Sequence, residues 1–275
     1  MRRFLAVCTA TAVVALPLAL STPAAAADDA SVVVVHGVPD LTVDVYGSAD
    51  ATYTAEEALL QDFAPGTVTD PVALPGGTYN LAVFPAGADP SGDPAIEATG
   101  VEVPAGANIS VVAHLNAEGT PVLTPFVNDV DPVAAGQGRL VVRHNAAAPA
   151  VDVLAGGEAV FSGLTNPNED SADLPAGTVS AAVALAGTTD PVIGPADVDV
   201  KEGVSTIVYA WGSAEDDNLA LAVQTIDGLH SSPSGVPSGT ADLPLDRTPW
   251  ALAGVALLAA LAAAGMGLQA KRTRA

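Results

Sequence analysis

The chain has 275 residues, with 31 acidic residues against nine Lys and Arg and a net charge of −22. A field of that sign repels nucleic acid and anionic lipid, so no nucleic-acid partner is expected. A single cysteine excludes an intramolecular disulfide framework.

Residues 1–27 read as an export signal. Arg2 and Arg3 give a positive start, Phe4–Leu20 an apolar run, and the alanines up to Ala27 a cleavage pattern before Asp28. Cys8 leaves with this segment, so the mature chain holds no thiol. Of the nine cations only Arg139, Arg143, Lys201 and Arg247 lie between the two end segments, which puts that region at −27.

The middle of the chain is written twice. Val33–His36, a Pro-containing turn and Val43-Asp44-Val45 recur as Val141–His144, a turn and Val151-Asp152-Val153. Leu74-Pro-Gly-Gly-Thr recurs as Leu174-Pro-Ala-Gly-Thr, and Val101–Ala113 as Val198–Ala210. The offset falls from 108 to 100 to 97 along the chain, so the length differences sit in loops. A repeat of about 100 residues is domain-sized rather than solenoid-like.

Each copy consists of short β-branched runs punctuated by Gly, Pro, Asn and Asp. Ile109–Leu115 and Ser205–Trp211 are nearly all apolar, as buried strands are, whereas Val43-Asp44-Val45-Tyr46 alternates and predicts one wet face. Leu-Pro-x-Gly-Thr predicts a turn, with Gly76 or Gly177 supplying positive φ. Thr54–Phe63 predicts a short helix, because Thr54 and Glu57 are spaced as a capping box. The expected fold is all-β, with two tandem immunoglobulin-like sandwiches of about seven strands over residues 28–130 and 131–228.

Residues 229–248, rich in Ser, Pro and Gly, read as a stalk. Residues 249–270 read as a single membrane span, with Trp250 at one interface and no charge up to Leu268. Lys271, Arg272 and Arg274 in the tail 271–275 then keep that end cytoplasmic. The predicted location is the cell membrane, with the ectodomain outside. Leu243-Pro-Leu-Asp-Arg247 begins like a cell-wall sorting pentapeptide but lacks its Thr and Gly, which favours a plain membrane anchor.

The β-run ending in His, the Pro turn with Val-Asp-Val, and Leu-Pro-x-Gly-Thr together resemble the DUF4397 family. The resemblance covers both copies, from about Ser31 to Asp129 and from Gly138 to Asp227. It implies a β-sandwich and an extracellular address, and it carries no catalytic residues.

Candidate chemistry is sparse. His36 with Asp44, and His144 with Asp152, could be a base and its orienter, but no serine elbow or thiol accompanies them, so a structural role is expected and no catalytic residue is assigned. His114 aligns with Trp211, which points to packing, and His230 falls in the stalk. No zinc spacing and no cofactor are expected. Asn128, Asp129 and Asp131 at the junction are weak calcium candidates. The leading reading is a non-enzymatic surface protein that binds or spaces, with an extracellular protein or glycan partner. The alternatives are an accessory module of extracellular hydrolysis using the His/Asp pairs, and a calcium-stiffened adhesion rod.

Overall fold

The first copy supplies eight strands: β1 (Ala30–Gly37), β2 (Val43–Ser48), β3 (Ala58–Phe63), β4 (Val72–Leu74), β5 (Gly77–Pro85), β6 (Ile96–Val103), β7 (Asn108–Leu115) and β8 (Pro121–Val127). The second supplies β9 (Gln137–Ala147), β10 (Val151–Ala155), β11 (Glu158–Leu164), β12 (Glu169–Pro175), β13 (Gly177–Leu185), β14 (Pro191–Val200), β15 (Ser205–Ser213) and β16 (Ala220–Ile226). This computed structural model describes residues 28–48, 50–54 and 58–231. The signal, span and tail expected from the sequence, and the stalk beyond Ser231, lie outside the described residues.

The duplication is visible in the topology. The first module forms sheets β4-β1-β7-β8 and β3-β2-β5-β6, and the second forms β12-β9-β15-β16 and β11-β10-β13-β14, in the same order. β1 runs parallel to β7, and β9 parallel to β15. All other strand pairs are antiparallel. Each module therefore has eight strands rather than seven, in two sheets of four.

The helix expected over Thr54–Phe63 is corrected where it is described: Ala58–Phe63 is β3, paired to β2. Tertiary pairing overrides the local signal, because Leu60 and Phe63 bury against the first module's core only in an extended chain. Gly76 also differs from expectation. It lacks a positive φ and is needed for space, since a Cβ there would sit 2.8 Å from the Ala105 backbone.

Within each module the two sheets close an apolar core. Val43, Val45, Phe63, Val83 and Leu115 meet in the first, and Leu140, Val142, Val153, Phe161 and Val208 in the second. The inner sheets, those containing β1 and β9, are covered on their other face as well. Val33, Val35 and Val112 of the first module pack against Val141, Ile207 and Tyr209 of the second. Both copies thus bury the same face of the same sheet, the pattern of an isologous dimer joined into one chain. That is why β1, β7 and β15 read as mostly apolar runs, while β9 carries Arg139 and Arg143 into the same buried sheet. Burial of an aliphatic side chain contributes about 1.5–3 kcal/mol, so this shared face is worth on the order of 10 kcal/mol. A whole domain is typically stable by about 5–15 kcal/mol, so a face of this size is expected to couple the unfolding of the two modules.

Candidate functional site

The duplicated His/Asp pairs occupy equivalent places and serve the backbone. Asp44 accepts from the Asp62 amide with Oδ1 and from the Gly87 amide with Oδ2, both at 2.9 Å. Asp152 accepts from Gly163 and Gly187 in the same way, both at 2.7 Å. Each carboxylate therefore ties a bulge in β3 or β11 to the turn after β5 or β13. The turn glycines need their identity, since Gly87 and Gly187 have φ of 74° and 79°.

His36 Nε2 donates to the Leu41 carbonyl at 2.6 Å, and His144 Nε2 to the Pro149 carbonyl at 3.0 Å. In each, Nδ1 accepts from the amide two residues on, at 3.4 Å. A carbonyl only accepts and an amide only donates, so both rings are held neutral with the proton on Nε2. Burial lowers both pKa values, partly opposed by the carbonyl each ring donates to. No hydrogen bond joins either His to its Asp among the described residues.

His114 is buried in the inner sheet. Its Nδ1 donates to the Leu115 carbonyl and its Nε2 accepts from the Thr124 hydroxyl, both at 2.8 Å. Its pKa is lowered by burial, partly opposed by the Leu115 carbonyl that its ring donates to. Its counterpart Trp211 covers the first module instead: a Cβ on Gly37 would lie 2.9 Å from the Trp211 Cβ. His230 bridges to Val133 beside the second module.

The junction oxygens face guanidinium groups. Arg139 Nη1 lies 2.7 Å from Asp129 Oδ2, while its Nε and Nη2 donate to Asp173 at 2.8 and 3.2 Å. Asp129 Oδ1 caps the Asp131 amide at 2.9 Å. Arg143, only 1 % exposed, donates to Asn128 Oδ1 at 2.7 Å, to Glu169 at 2.6 Å and to the Tyr209 hydroxyl at 2.9 Å. Its guanidinium also stands 4.3 Å from the centre of the Phe126 ring. Tyr209 in turn donates to Gln224 Oε1, which also accepts from Ser110 of the first module at 2.8 Å. This network is the polar part of the seam. Sequence reasoning missed it, although an arginine at the position of Val35 within a valine run was a usable signal.

The outer sheet of the first module departs from the wet face expected for Val43–Tyr46. Asp44 and Tyr46 are both buried. The β2–β3 connection spans 49–57 here but only Gly156-Gly157 in the second module, which accounts for most of the fall in repeat offset. Its Tyr53 packs edge-on to Tyr46 and Phe84, at 6.3 and 6.2 Å between ring centres. Tyr46 and Phe84 are themselves perpendicular at 5.4 Å. The second module has Leu154 and Ala184 in their places.

Beside this aromatic trio lies a cleft of about 290 Å³, lined by Asp44, Tyr46, Gln61, Asp62, Gly87 and Ala88. Burial and then the Asp44 charge raise the Tyr46 pKa, so the phenol stays protonated. Within the aromatic trio it is the Tyr53 hydroxyl that is buried without a hydrogen-bond partner among the described residues. Among the described residues no three of His, Cys, Asp and Glu are placed to hold a metal.

Comparison with known proteins gives a family match over part of the chain and little more. The model of DUF4397, a domain of unknown function, matches residues 30–154, the whole first module and the first two strands of the second. No curated protein matches the chain. A candidate cell adhesion protein from Bacteroides ovatus is similar over 75 % of this chain and 100 % of its own, at 10 % identity and a TM-score of 0.18. A likeness that low carries no argument.

Proposed function

We propose that this chain, which belongs to the DUF4397 family over residues 30–154, is a non-enzymatic binding protein of the cell surface. Residues 1–27 export it, and a single span at 249–270 holds it in the membrane, with Leu243–Arg247 as plain spacer. The two sandwiches are immunoglobulin-like and are displayed outside the cell toward an extracellular protein or glycan. One observation carries the non-enzymatic reading: in both modules the His and the Asp spend their hydrogen bonds on backbone groups, far from any nucleophile–base pairing. The open cleft of the first module is the natural contact surface.

The test uses the full chain in its native envelope. Intact cells treated with a membrane-impermeant lysine label and an external protease should lose the ectodomain, and capture on immobilised full-length protein should retain an envelope component. Protection from external protease removes the surface reading. Hydrolytic activity lost in His36→Gln with unchanged melting would replace the binding reading with catalysis.

A further inference from the structure

We propose that β16, an end strand of the second module's inner sheet, takes up an extended segment of a partner polypeptide as an added strand. That segment is uncharged along its length and basic at its ends. β16 stands apart from the cleft of the first module, and its pairing goes beyond the surface-binding reading because it depends on backbone geometry.

The end strands of the four sheets are β3, β4, β6, β8, β11, β12, β14 and β16. An end strand leaves amides and carbonyls open to a further strand, and proteins block it with proline, charge, bulges or brevity. Seven of these eight are blocked. β4 has three residues, and β8 and β14 each hold two prolines. β12 carries Glu169, Asp170 and Asp173. β3, β6 and β11 have register shifts in their ladders, and each carries a carboxylate. β16, Ala-Leu-Ala-Val-Gln-Thr-Ile, has no proline, no charge and no shift.

The register fixes which groups are open. The Arg139 amide donates to the Val204 carbonyl, so even-numbered groups of β15 turn toward β9 and odd-numbered ones toward β16. Ile207 and Tyr209 lie opposite Gln224 and Ala222, whose backbone groups are thereby consumed. The amides and carbonyls of Leu221, Val223 and Thr225 point away from the sheet. In the first module the Asn128 amide donates to the Asn108 carbonyl, so Pro121, Leu123, Pro125 and Val127 are the outward positions of β8. Pro125, opposite Val111, is the counterpart of Val223, opposite Val208. One copy caps this edge with proline and the other leaves it open.

β16 is also held in place beforehand. Ala222 and Ile226 pack in the seam, and Gln224 Oε1 accepts from Tyr209 and from Ser110 of the first module. A strand already fixed loses little further entropy on pairing. Val223, 52 % exposed, offers an apolar contact beside the open groups. Strand addition to such an edge takes its affinity from main-chain hydrogen bonds. Asp216 and Asp217 precede the strand and Asp227 follows it. A partner with lysine or arginine at each end complements that charge, whereas a second copy would bring acid to acid.

The test is amide NMR of the full chain in detergent micelles, titrated with a blocked seven-residue peptide of alternating threonine and valine with lysine at each end. The peptide should slow hydrogen exchange at Leu221, Val223 and Thr225 saturably and leave Leu123 and Val127 of β8 unmoved. Val223→Pro copies the first module and removes no bond to β15. It should weaken binding at least about tenfold, for one lost hydrogen bond and the clash of the ring. Unshifted Ile207 and Tyr209 amides identify a folded variant. The same peptide with every amide N-methylated removes the ladder from the ligand's side, whether or not the variant folds, and should not bind. Glutamate in place of the terminal lysines should weaken binding about fivefold at low salt.

The proposal is overturned if the three amides do not respond, if they already exchange slowly in the peptide-free monomer, or if the methylated or glutamate peptide binds as well. A folded Val223→Pro that binds undiminished also overturns it. A dimer in sedimentation that Val223→Pro abolishes replaces the partner with a second copy. Envelope capture is scored separately: peptide binding without any captured partner sinks the surface reading alone, and capture without peptide binding sinks the strand assignment alone.

Discussion

Arg143 of the second module donates to Asn128 of the first at 2.7 Å, deep in the face the two modules share. The bond places a buried guanidinium where the other copy has Val35. It is held by Glu169, Tyr209 and the Phe126 ring as well. The seam is therefore asymmetric: one copy supplies valine and the other a charged fork.

Replacing Arg143 by alanine strands the acceptors of that network. Glu169 is 38 % exposed at its side chain and can turn to water, so the loss is smaller than for a fully buried pair. A destabilisation of about 2–4 kcal/mol is expected, lowering Tm by roughly 5–12 °C. Calorimetry should still show one transition. Two separated transitions in the parent chain would contradict the shared core.

Asp44→Asn and Asp152→Asn should destabilise to a similar degree. The amide NH2 of Asn faces one of the two backbone donors, so each variant loses one charge-assisted bond and leaves an unpaired amide, at about 1–3 kcal/mol. Matching losses in thermal melts would confirm a shared structural role. A large loss in one module only would contradict it.

Acid should weaken the fold through three histidines. Burial holds His36, His114 and His144 below their ordinary value of 6.5. The unfolded chain then binds protons near 6.5 that the folded chain refuses, so their contribution is full above that pH and is lost as pH falls toward the folded values. Melts between pH 7.5 and 5 should show Tm falling with acidification, and His114→Gln should flatten the slope. A Tm that rises over that window would reverse the sign and reject the neutral assignments.

Chelation should leave the melt unmoved. Asn128 and Asp129 already face the Arg143 and Arg139 guanidinium groups, which meet the negative charge that calcium would otherwise neutralise. A Tm drop of several degrees with chelator, restored by calcium, would instead establish the junction as a cation site.

Gly37→Val tests the seam from the other side. The added Cβ would lie 2.9 Å from the Trp211 Cβ and 3.2 Å from the Ala113 carbonyl oxygen. An overpacking loss of about 1–3 kcal/mol is expected, with a change in Trp211 fluorescence. No change in either would place Trp211 elsewhere.

The sequence alone determined the all-β class and the duplication, because both are local. β-branched runs and turn residues carry their conformational preference with them, and a repeated string is visible without any fold. It also marked His36 and His144 as equivalent positions, since a recurrence in two copies is visible without the fold. The joining of the modules, the eighth strands and the burial of Tyr46 were decided only by tertiary structure. A valine run buried on one face by its own module reads the same as one buried on both, and only the second sheet's position distinguishes them. The same holds for Ala58–Phe63, whose helical signal yielded to a pairing with β2 that no local window contains.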